Sequence, residues 1–413
     1  MEKFQGECKE VIIVGAGLAG LYAAYALRDR DIIVLERENN AGGRVLTRNK
    51  MGVNYEIGAV FAFEPTSLPA GIAPPPLIEE YGLIGVCAEG RTWFGKTVVD
   101  CLEKFDFHNN MIEEIIAFVN GGAYNVSDLS PRSYELLNTF FQLIHPSEID
   151  EYIPQRRLDA FQVFQMGHYE TGNEVLISSL IEGISSRLRC GVQVISIEDQ
   201  GRNVVVTVRE GGQIKRLFAK TVICSIPAHE ASRVIARAEN PSRLFLDGIR
   251  YGTASLSVLA IPENLIPEFS YIATPDLATS TVVRQKTTVD GLVLLYFYYM
   301  GVKSVPVRKL QAKEMVKMAL QTLDALGFGN FKEEQIKFAD QHHWDMVSPI
   351  ISEESYGAWA IEKIHPSQRV FLAGDYTHVD SHHLMPYGMS AAISSGKKAA
   401  EQVQHLLGEL PPG

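Results

Sequence analysis

The chain has 413 residues, enough for two domains and a large core. Hydrophobic residues make up 46% and charged residues 21%, the balance of a globular protein, and the net charge of −11 argues against a nucleic-acid binder, which would present a basic face. Five scattered cysteines, odd in number and with no CxxC pair or metal-ligand spacing, read as reduced thiols in a reducing compartment.

Met1 to Glu10 is polar, and no apolar run approaches the roughly 20 residues of a bilayer crossing. A cytoplasmic protein without a transmembrane segment is expected. Val11 to Val14 is a short apolar β-branched run, the pattern of a strand buried on both faces. Gly15-Ala16-Gly17-Leu18-Ala19-Gly20 follows at once, and Leu18, Leu21, Tyr22 and Tyr25 repeat at helical spacing. A second strand, Ile32 to Leu35, ends on Glu36. Gly15 permits the tight turn, Gly17 lets backbone approach a pyrophosphate, and Gly20 lets the helix pack against the sheet. The free N–H groups of the helix start face negative phosphate. Glu36 lies roughly 20 residues on, where a carboxylate accepts ribose hydroxyls. Strand, glycine triplet, helix and acid together predict an adenine-dinucleotide site. They do not separate FAD from a nicotinamide dinucleotide.

Ala41-Gly42-Gly43-Arg44 suits a second close approach to phosphate, with a planar charge beside it. Glu36-Arg37 followed by Ala41-Gly42-Gly43-Arg44 resembles the flavin amine oxidase superfamily. That superfamily holds monoamine, polyamine and L-amino-acid oxidases, with the related phytoene-type desaturases and protoporphyrinogen oxidases. The resemblance implies FAD. It also implies an α/β fold, with a Rossmann-like FAD-binding domain of the glutathione-reductase type and a second, mixed α+β substrate domain. The FAD domain is expected to be discontinuous (1–75, 166–232, 352–413) and the substrate domain to take 76–165 and 233–351.

Met51 to Gly58 is strand-like, and in the resembled family such a segment returns the chain to the flavin, with Gly58 and Ala59 close to the pyrophosphate and ring and Val60 and Phe61 next to them. Pro65 to Pro76 is the sharpest break in composition, an exit from the first domain or a lid. Between Leu77 and Gln165, runs such as Met111 to Val119 and Tyr134 to Ile144 have helical spacing and predict packing faces. Thr171 to Glu174 reads as a capping box opening a helix with Leu176, Leu180, Ile184 and Leu188 on one face. Strands follow at Val192 to Ile197, Asn203 to Val208 and Thr221 to Ile226, with a hairpin turn at Gly211-Gly212. In the resembled family Val194 matches a strand position bonded to adenine. Ala254 to Ile261 and Leu292 to Tyr299 predict long strands; Val316, Leu320 and Leu323 predict a helix face stopped by Gly327.

Arg369 to Asp375 predicts a strand ending on Gly374-Asp375, and Gly388-Met389 opens a helix carried by Ile393, Gly396, Ala400 and Val403. This is a βα unit of the first domain supplied from the far end of the chain. By resemblance, Asp375 accepts bonds from the ribityl chain and the N–H near Met389 faces the flavin N1–C2 edge.

The resemblance implies hydride abstraction from an amine or amino-acid carbon, with oxygen reoxidising the flavin to give peroxide. A desaturase acting on a carbon–carbon bond and a non-catalytic flavin scaffold stand as alternatives. The lysine of many amine-oxidising members is absent from Tyr251 to Val258; Ser255, Leu256 or Ser257 takes its place. The cysteine that links flavin covalently in monoamine oxidases is absent, with Ser355 to Trp359 near that point, so noncovalent FAD is expected. Trp344, Tyr356 and Trp359 are candidates to face the ring, with ordinary core the alternative for each. His383, beside His382, is a candidate acid/base. With His378 and Asp380 it could imitate a metal site, but a solvated loop is the preferred reading and no metal is expected. Arg250 or Arg284 could hold a carboxylate, with surface solvation the alternative. The substrate is expected to be a small amine or apolar molecule; the oligomeric state stays open, with a homodimer one option.

Overall fold

The computed structural model describes residues 8–60, 68–69, 72, 77–80, 84–88, 90–95, 166–236, 240–274, 277–329, 331–351, 365–377 and 388–409. Most of the proline-rich segment, the runs at Met111 and Tyr134, and Tyr356, Trp359, His378, Asp380, His382 and His383 lie outside them.

Two large sheets carry the described residues. The first begins with β1 (Cys8–Val14), which pairs in parallel with β2 (Ile32–Leu35) from Val11↔Ile32 to Val14↔Leu35. Between them runs α1 (Leu18–Ala26), whose residues 18–25 are all buried. A helix apolar all round must be covered on both sides, and this one lies between the sheet and α6 (Met389–Glu409). The two helices approach closely: a Cβ on Gly396 would lie 2.3 Å from the Ala19 carbonyl oxygen.

The other edge of β1 pairs in parallel with β12 (Gln213–Cys224). The first half of β12 continues a meander with β10 (Val192–Asp199) and β11 (Val204–Glu210), while its end pairs in parallel with β20 (Val370–Leu372). The short β9 (Leu188–Arg189) closes the far edge beside β2. Residues from both ends of the chain thus share one parallel sheet. Strand alternation sends Val11 and Ile13 toward α1 and α6. It sends Ile12 and Val14 toward α3 (Ala228–Val234) and α4 (Asn240–Gly248).

One expectation is corrected. α2 (Glu174–Glu182) is present, but no capping box opens it; Asn173 is its N-cap and makes no side-chain cap bond. The Asn173 amide is drawn away to the Ala59 and Val60 carbonyls at 2.7 and 3.2 Å. The helix ends at Gly183, where a Cβ would meet the Tyr25 ring at 2.6 Å, so Leu188 belongs to β9 and not to that helix face. Ahead of the runs at Met111 and Tyr134, which lie outside the described residues, the chain forms strands β5 (Leu77–Glu80), β6 (Ile84–Ala88) and β7 (Arg91–Gly95). Pairing with distant partners decides this. β5 pairs with β8 (Met166–Tyr169), and β6 pairs with both β7 and β15 (Tyr271–Ala273).

The second sheet runs β18-β14-β17-β16-β15-β6-β7. Its centre is β14 (Ala254–Pro262), antiparallel to β17 (Leu292–Met300) and β18 (Phe338–Trp344); β16 (Thr281–Lys286) follows β17. Both faces of β14 are buried. Leu256, Val258 and Ala260 meet the hairpin β3 (Thr47–Lys50) and β4 (Val53–Glu56) through Val53, Tyr55 and Ile57. Leu259 and Ile261 meet α5 (Ala312–Ala325) through Met315, Ala319 and Leu323. A small two-stranded ribbon pairs β13 (Ile249–Tyr251) with β19 (Pro349–Ile351), and Tyr251 reaches the site below.

Candidate functional site

A cavity of about 910 Å³ opens at the carboxyl ends of the parallel strands, where Val14, Leu35, Ser225 and Gly374 line it. That is where α/β sheets bind ligands, and the volume is at the upper end for cofactor pockets. Gly15, Gly17, Leu18 and Ala19 form one wall. Gly15 has φ +99°, which only glycine adopts without strain. A Cβ on Gly17 would meet nothing within 4 Å, so its backbone stands open to the cavity at the α1 N-terminus. Gly20 is not in the lining. Its work is packing, since a Cβ there would lie 2.1 Å from the Gly15 carbonyl oxygen.

Glu36, Arg37, Gly42, Gly43 and Arg44 also line the cavity, and so does Val194 on β10. Glu36 already braces the loop: its carboxylate accepts the Ala16 N–H at 2.7 Å and the Glu38 N–H at 2.9 Å. Arg37 turns to Glu230 on α3, 3.0 Å away, bridging β2 and α3 beside the cavity. Arg44 donates to Asp375 at 2.8 Å and to the Val347 carbonyl. Asp375 is 2% exposed and also accepts the Tyr376 N–H at 3.1 Å. This pair locks the second glycine loop to the end of β20.

The two ends of the cavity differ. One is marked by Glu36 and Val192, joined by a bond from the Val192 N–H to the Glu36 carbonyl at 2.8 Å. The other holds Arg44, Asp375, Gly58, Ala59 and Trp344, with Gly388 and Met389 from the start of α6 also lining it. The Trp344 indole N–H donates to the Ile57 carbonyl at 2.5 Å, which fixes the ring next to Gly58. Ala59 N–H donates to the Arg44 carbonyl at 2.8 Å. Val60 leaves the lining and is buried in the core beneath the second sheet, because Ile57 and Val60 share one apolar cluster with Leu256.

Tyr251, His342 and His343 are among the lining residues not singled out in the sequence. Tyr251 receives the Ala228 N–H at 3.0 Å; burial, with Asp375 nearby, pushes its hydroxyl well above the usual range. His343 is tied at both nitrogens, to Ser255 Oγ at 2.8 Å and to Asp345 at 3.3 Å. His342 lies edge-on to Trp344, with ring centroids 4.5 Å apart. Sequence carried one usable signal for these last two: consecutive histidines in a strand face opposite sides. Arg284 is not solvated; it is 3% exposed and paired with Glu263 at 2.7 Å, and neither it nor Arg250 lines the cavity. Cys224 is buried and its thiol is pushed up to about 12, so it is inert. Among the described residues no cluster of His, Cys, Asp and Glu is placed to hold a metal, and no helix is long and apolar enough to cross a membrane.

The sequence profile of the family described as flavin containing amine oxidoreductase matches residues 105–404, and that of an NAD(P)-binding Rossmann-like domain matches 13–69. No curated protein matches the chain in sequence. Cyclohexylamine oxidase from Brevibacterium oxydans IH-35A has a similar fold, with TM-score 0.72 and 16% identity over 98% of this chain and 100% of that one. Putrescine oxidase bound to putrescine gives 0.67 and 14% over 97% and 100%. A protein from Exiguobacterium sp. 255-15, described as a protoporphyrinogen oxidase, gives 0.71 and 14% over 97% and 100%.

Proposed function

Because the chain belongs to the flavin containing amine oxidoreductase family, we propose that it oxidises an amine or amino acid, with noncovalent FAD as cofactor and oxygen as final acceptor. The observation that carries this reading is the meeting of both chain ends on one cavity. Gly15 and Gly17 stand on one wall, Gly374, Asp375, Gly388 and Met389 on another, and the Arg44–Asp375 pair joins them. The donor set fits a flavin dinucleotide. Open glycine backbone at a helix start suits pyrophosphate. Glu36 suits a ribose, and Val194 lies where an adenine would stack against β10. Asp375 suits the polyol chain, and the start of α6 suits the electron-rich edge of the ring, where a helix N-terminus favours negative charge by roughly 0.3–2 kcal/mol.

When bound, the flavin supplies the two-electron acceptor for hydride; the protein binds, orients and excludes water. Trp344, fixed to Ile57, forms a rigid aromatic wall beside Gly58. An apolar wall disfavours the ammonium form of an amine and favours the neutral form that can react. The residues of 1–75, 166–232 and 352–413 would form the cofactor domain, and those of 76–165 and 233–351 the substrate domain.

The test is a visible spectrum of the purified protein, then anaerobic bleaching with primary, secondary and amino-acid amines, and peroxide detection in air. Yellow protein bleached by an amine supports the reading. A protein that cannot be reconstituted with FAD overturns the cofactor, and a flavin bleached by no amine overturns the substrate class.

A further inference from the structure

Tyr251 closes β13 and lines the cavity. Two sets of bonds fix it there. On one side its hydroxyl oxygen accepts the N–H of Ala228, the first residue of α3, at 3.0 Å. Ala228 follows Ser225, whose hydroxyl donates to the Val14 and Gly15 carbonyls at 2.8 and 3.0 Å. On the other side the Gly252 carbonyl accepts the Val347 N–H at 2.8 Å, and the Val347 carbonyl accepts Arg44, the partner of Asp375. The sheet order gives the same placement. β12 lies between β1 and β20; the glycine loop follows β1, Asp375 follows β20, and the Tyr251 hydroxyl is bonded to the turn that follows β12. It therefore stands between the loop that suits pyrophosphate and the acid that suits the polyol. A phenol accepts at its oxygen and has one proton to donate. Ala228 uses the accepting side, and among the described residues nothing accepts the proton. The acids near it, Asp375 and Glu230, bond Arg44 and Arg37 instead.

We propose that the Tyr251 hydroxyl donates a hydrogen bond to the dinucleotide phosphate that adjoins the polyol; this rests on the flavin reading above. The chemistry favours phosphate over polyol. Phosphate oxygens only accept, and a bond to a charged acceptor is roughly twice as strong as a neutral one. The polyol hydroxyls bring protons of their own, which Asp375 suits. Burial, with Asp375 beside it, holds the phenol well above its usual pKa, so it keeps its proton at pH 7. The Ala228 N–H on its oxygen polarises the hydroxyl and strengthens it as a donor. The pyrophosphate would then meet backbone donors after β1 and a side-chain donor over β12. His229 packs edge-on to the ring, centroids 5.9 Å apart, and helps to hold the donor in place.

The experiment uses the full-length chain, freed of flavin and titrated with FAD, ADP and AMP. Tyr251→Phe keeps the ring and loses only the hydroxyl. It is expected to weaken FAD and ADP by the same factor, roughly tenfold or more. AMP lacks the phosphate in question, and its affinity is expected to stay within about twofold. In ³¹P spectra of the FAD-loaded protein, one phosphate signal is expected to move between wild type and variant. The variant also leaves the Ala228 N–H without its acceptor; a purely structural effect of that kind would weaken AMP as much as ADP. If Tyr251→Phe does not fold, wild type carrying ¹³Cζ-labelled tyrosine decides. One tyrosine signal is expected to shift with ADP and not with AMP, and to persist in Tyr376→Phe, which removes the other tyrosine of the described lining. Unchanged FAD and ADP affinities, unmoved phosphate signals, a loss that AMP shares or no ADP-specific tyrosine shift overturns the role of Tyr251 and leaves the flavin reading standing. A wild type that binds neither FAD nor ADP overturns both.

Discussion

Arg44 and Asp375 are 331 positions apart in sequence and 2.8 Å apart in space. The pair is uneven: the aspartate side chain is 3% accessible, while the arginine is 37% open to the cavity. Removing the arginine leaves a buried carboxylate without its counter-charge, whereas water already screens part of the attraction. Arg44→Met is therefore expected to destabilise the fold by roughly 2 kcal/mol and to weaken FAD binding. Urea unfolding and a flavin titration check both; a loss below about 0.5 kcal/mol would show that water already holds Asp375. Two glycines of the triplet, one at the N-cap of α1 and one within it, give opposite forecasts. Gly17 has φ −75°, which alanine tolerates, and its Cβ would enter empty space. Gly17→Ala is expected to leave stability within about 0.5 kcal/mol of wild type and to abolish tight flavin binding. Gly20→Ala drives a methyl into the Gly15 carbonyl and Ser225 Oγ, at 2.1 and 2.4 Å, and is expected to lose 2 kcal/mol or more, roughly the upper range for overpacking. Similar losses for the two would remove the distinction between lining and packing.

At the scale of elements, the hairpin β3–β4 is the joint of the molecule. Glu56 ends it, 2% exposed, and its carboxylate accepts the Asn173 N–H at 2.7 Å and Thr47 Oγ at 2.9 Å. Burial outweighs these donors and pushes the carboxyl up to about 8. The unfolded value is near 4.5, so between the two the folded state holds a proton that the unfolded chain has lost. Stability from this group is full below pH 4.5 and falls as pH rises to about 8, by on the order of 1 kcal/mol per pH unit. Glu56→Gln keeps an acceptor oxygen and cannot ionise. The stability difference between variant and wild type is expected to be small at pH 4.5 and to grow in the variant's favour up to pH 8. A difference that stays flat would mean Glu56 is ionised throughout. None of this could be read from Met51 to Gly58, which shows a strand and a glycine but not what lies on either side. Val11 to Val14, Ile32 to Leu35 and Val370 to Leu372 were legible because strands buried on both faces need only local apolar runs. β6 was not, because its strand character comes from β15, nearly two hundred positions away. His342 was only faintly legible: adjacent histidines in a strand face opposite sides, but β14 and Trp344 decide which of them meets the cavity beside the indole.

For the whole molecule, sharing one cavity between the two chain ends makes ligand binding a coupling device. Each end contributes a wall, so any ligand that spans the cavity stabilises both together, by about 2.7 kcal/mol at a hundredfold excess over its Kd. A ligand that reaches only one end should stabilise only the elements there. ADP carries the adenosine and pyrophosphate that Gly15, Gly17, Glu36 and Val194 would hold but lacks the polyol and ring expected at Asp375 and Met389. Hydrogen exchange with FAD is therefore expected to show protection rising together in residues 11–26, 192–195, 57–60 and 388–395. With ADP, protection should rise in the first two segments alone. The close α1–α6 contact at Ala19 and Gly396 could in principle spread protection from one helix to the other. A rigid coupling of that kind would make ADP protect 388–395 through the shared core, without any contact of ADP with Met389. Protection of 57–60 by ADP would contradict the cavity's two-ended arrangement, and FAD protecting only 11–26 would deny that the far end of the chain meets the same ligand.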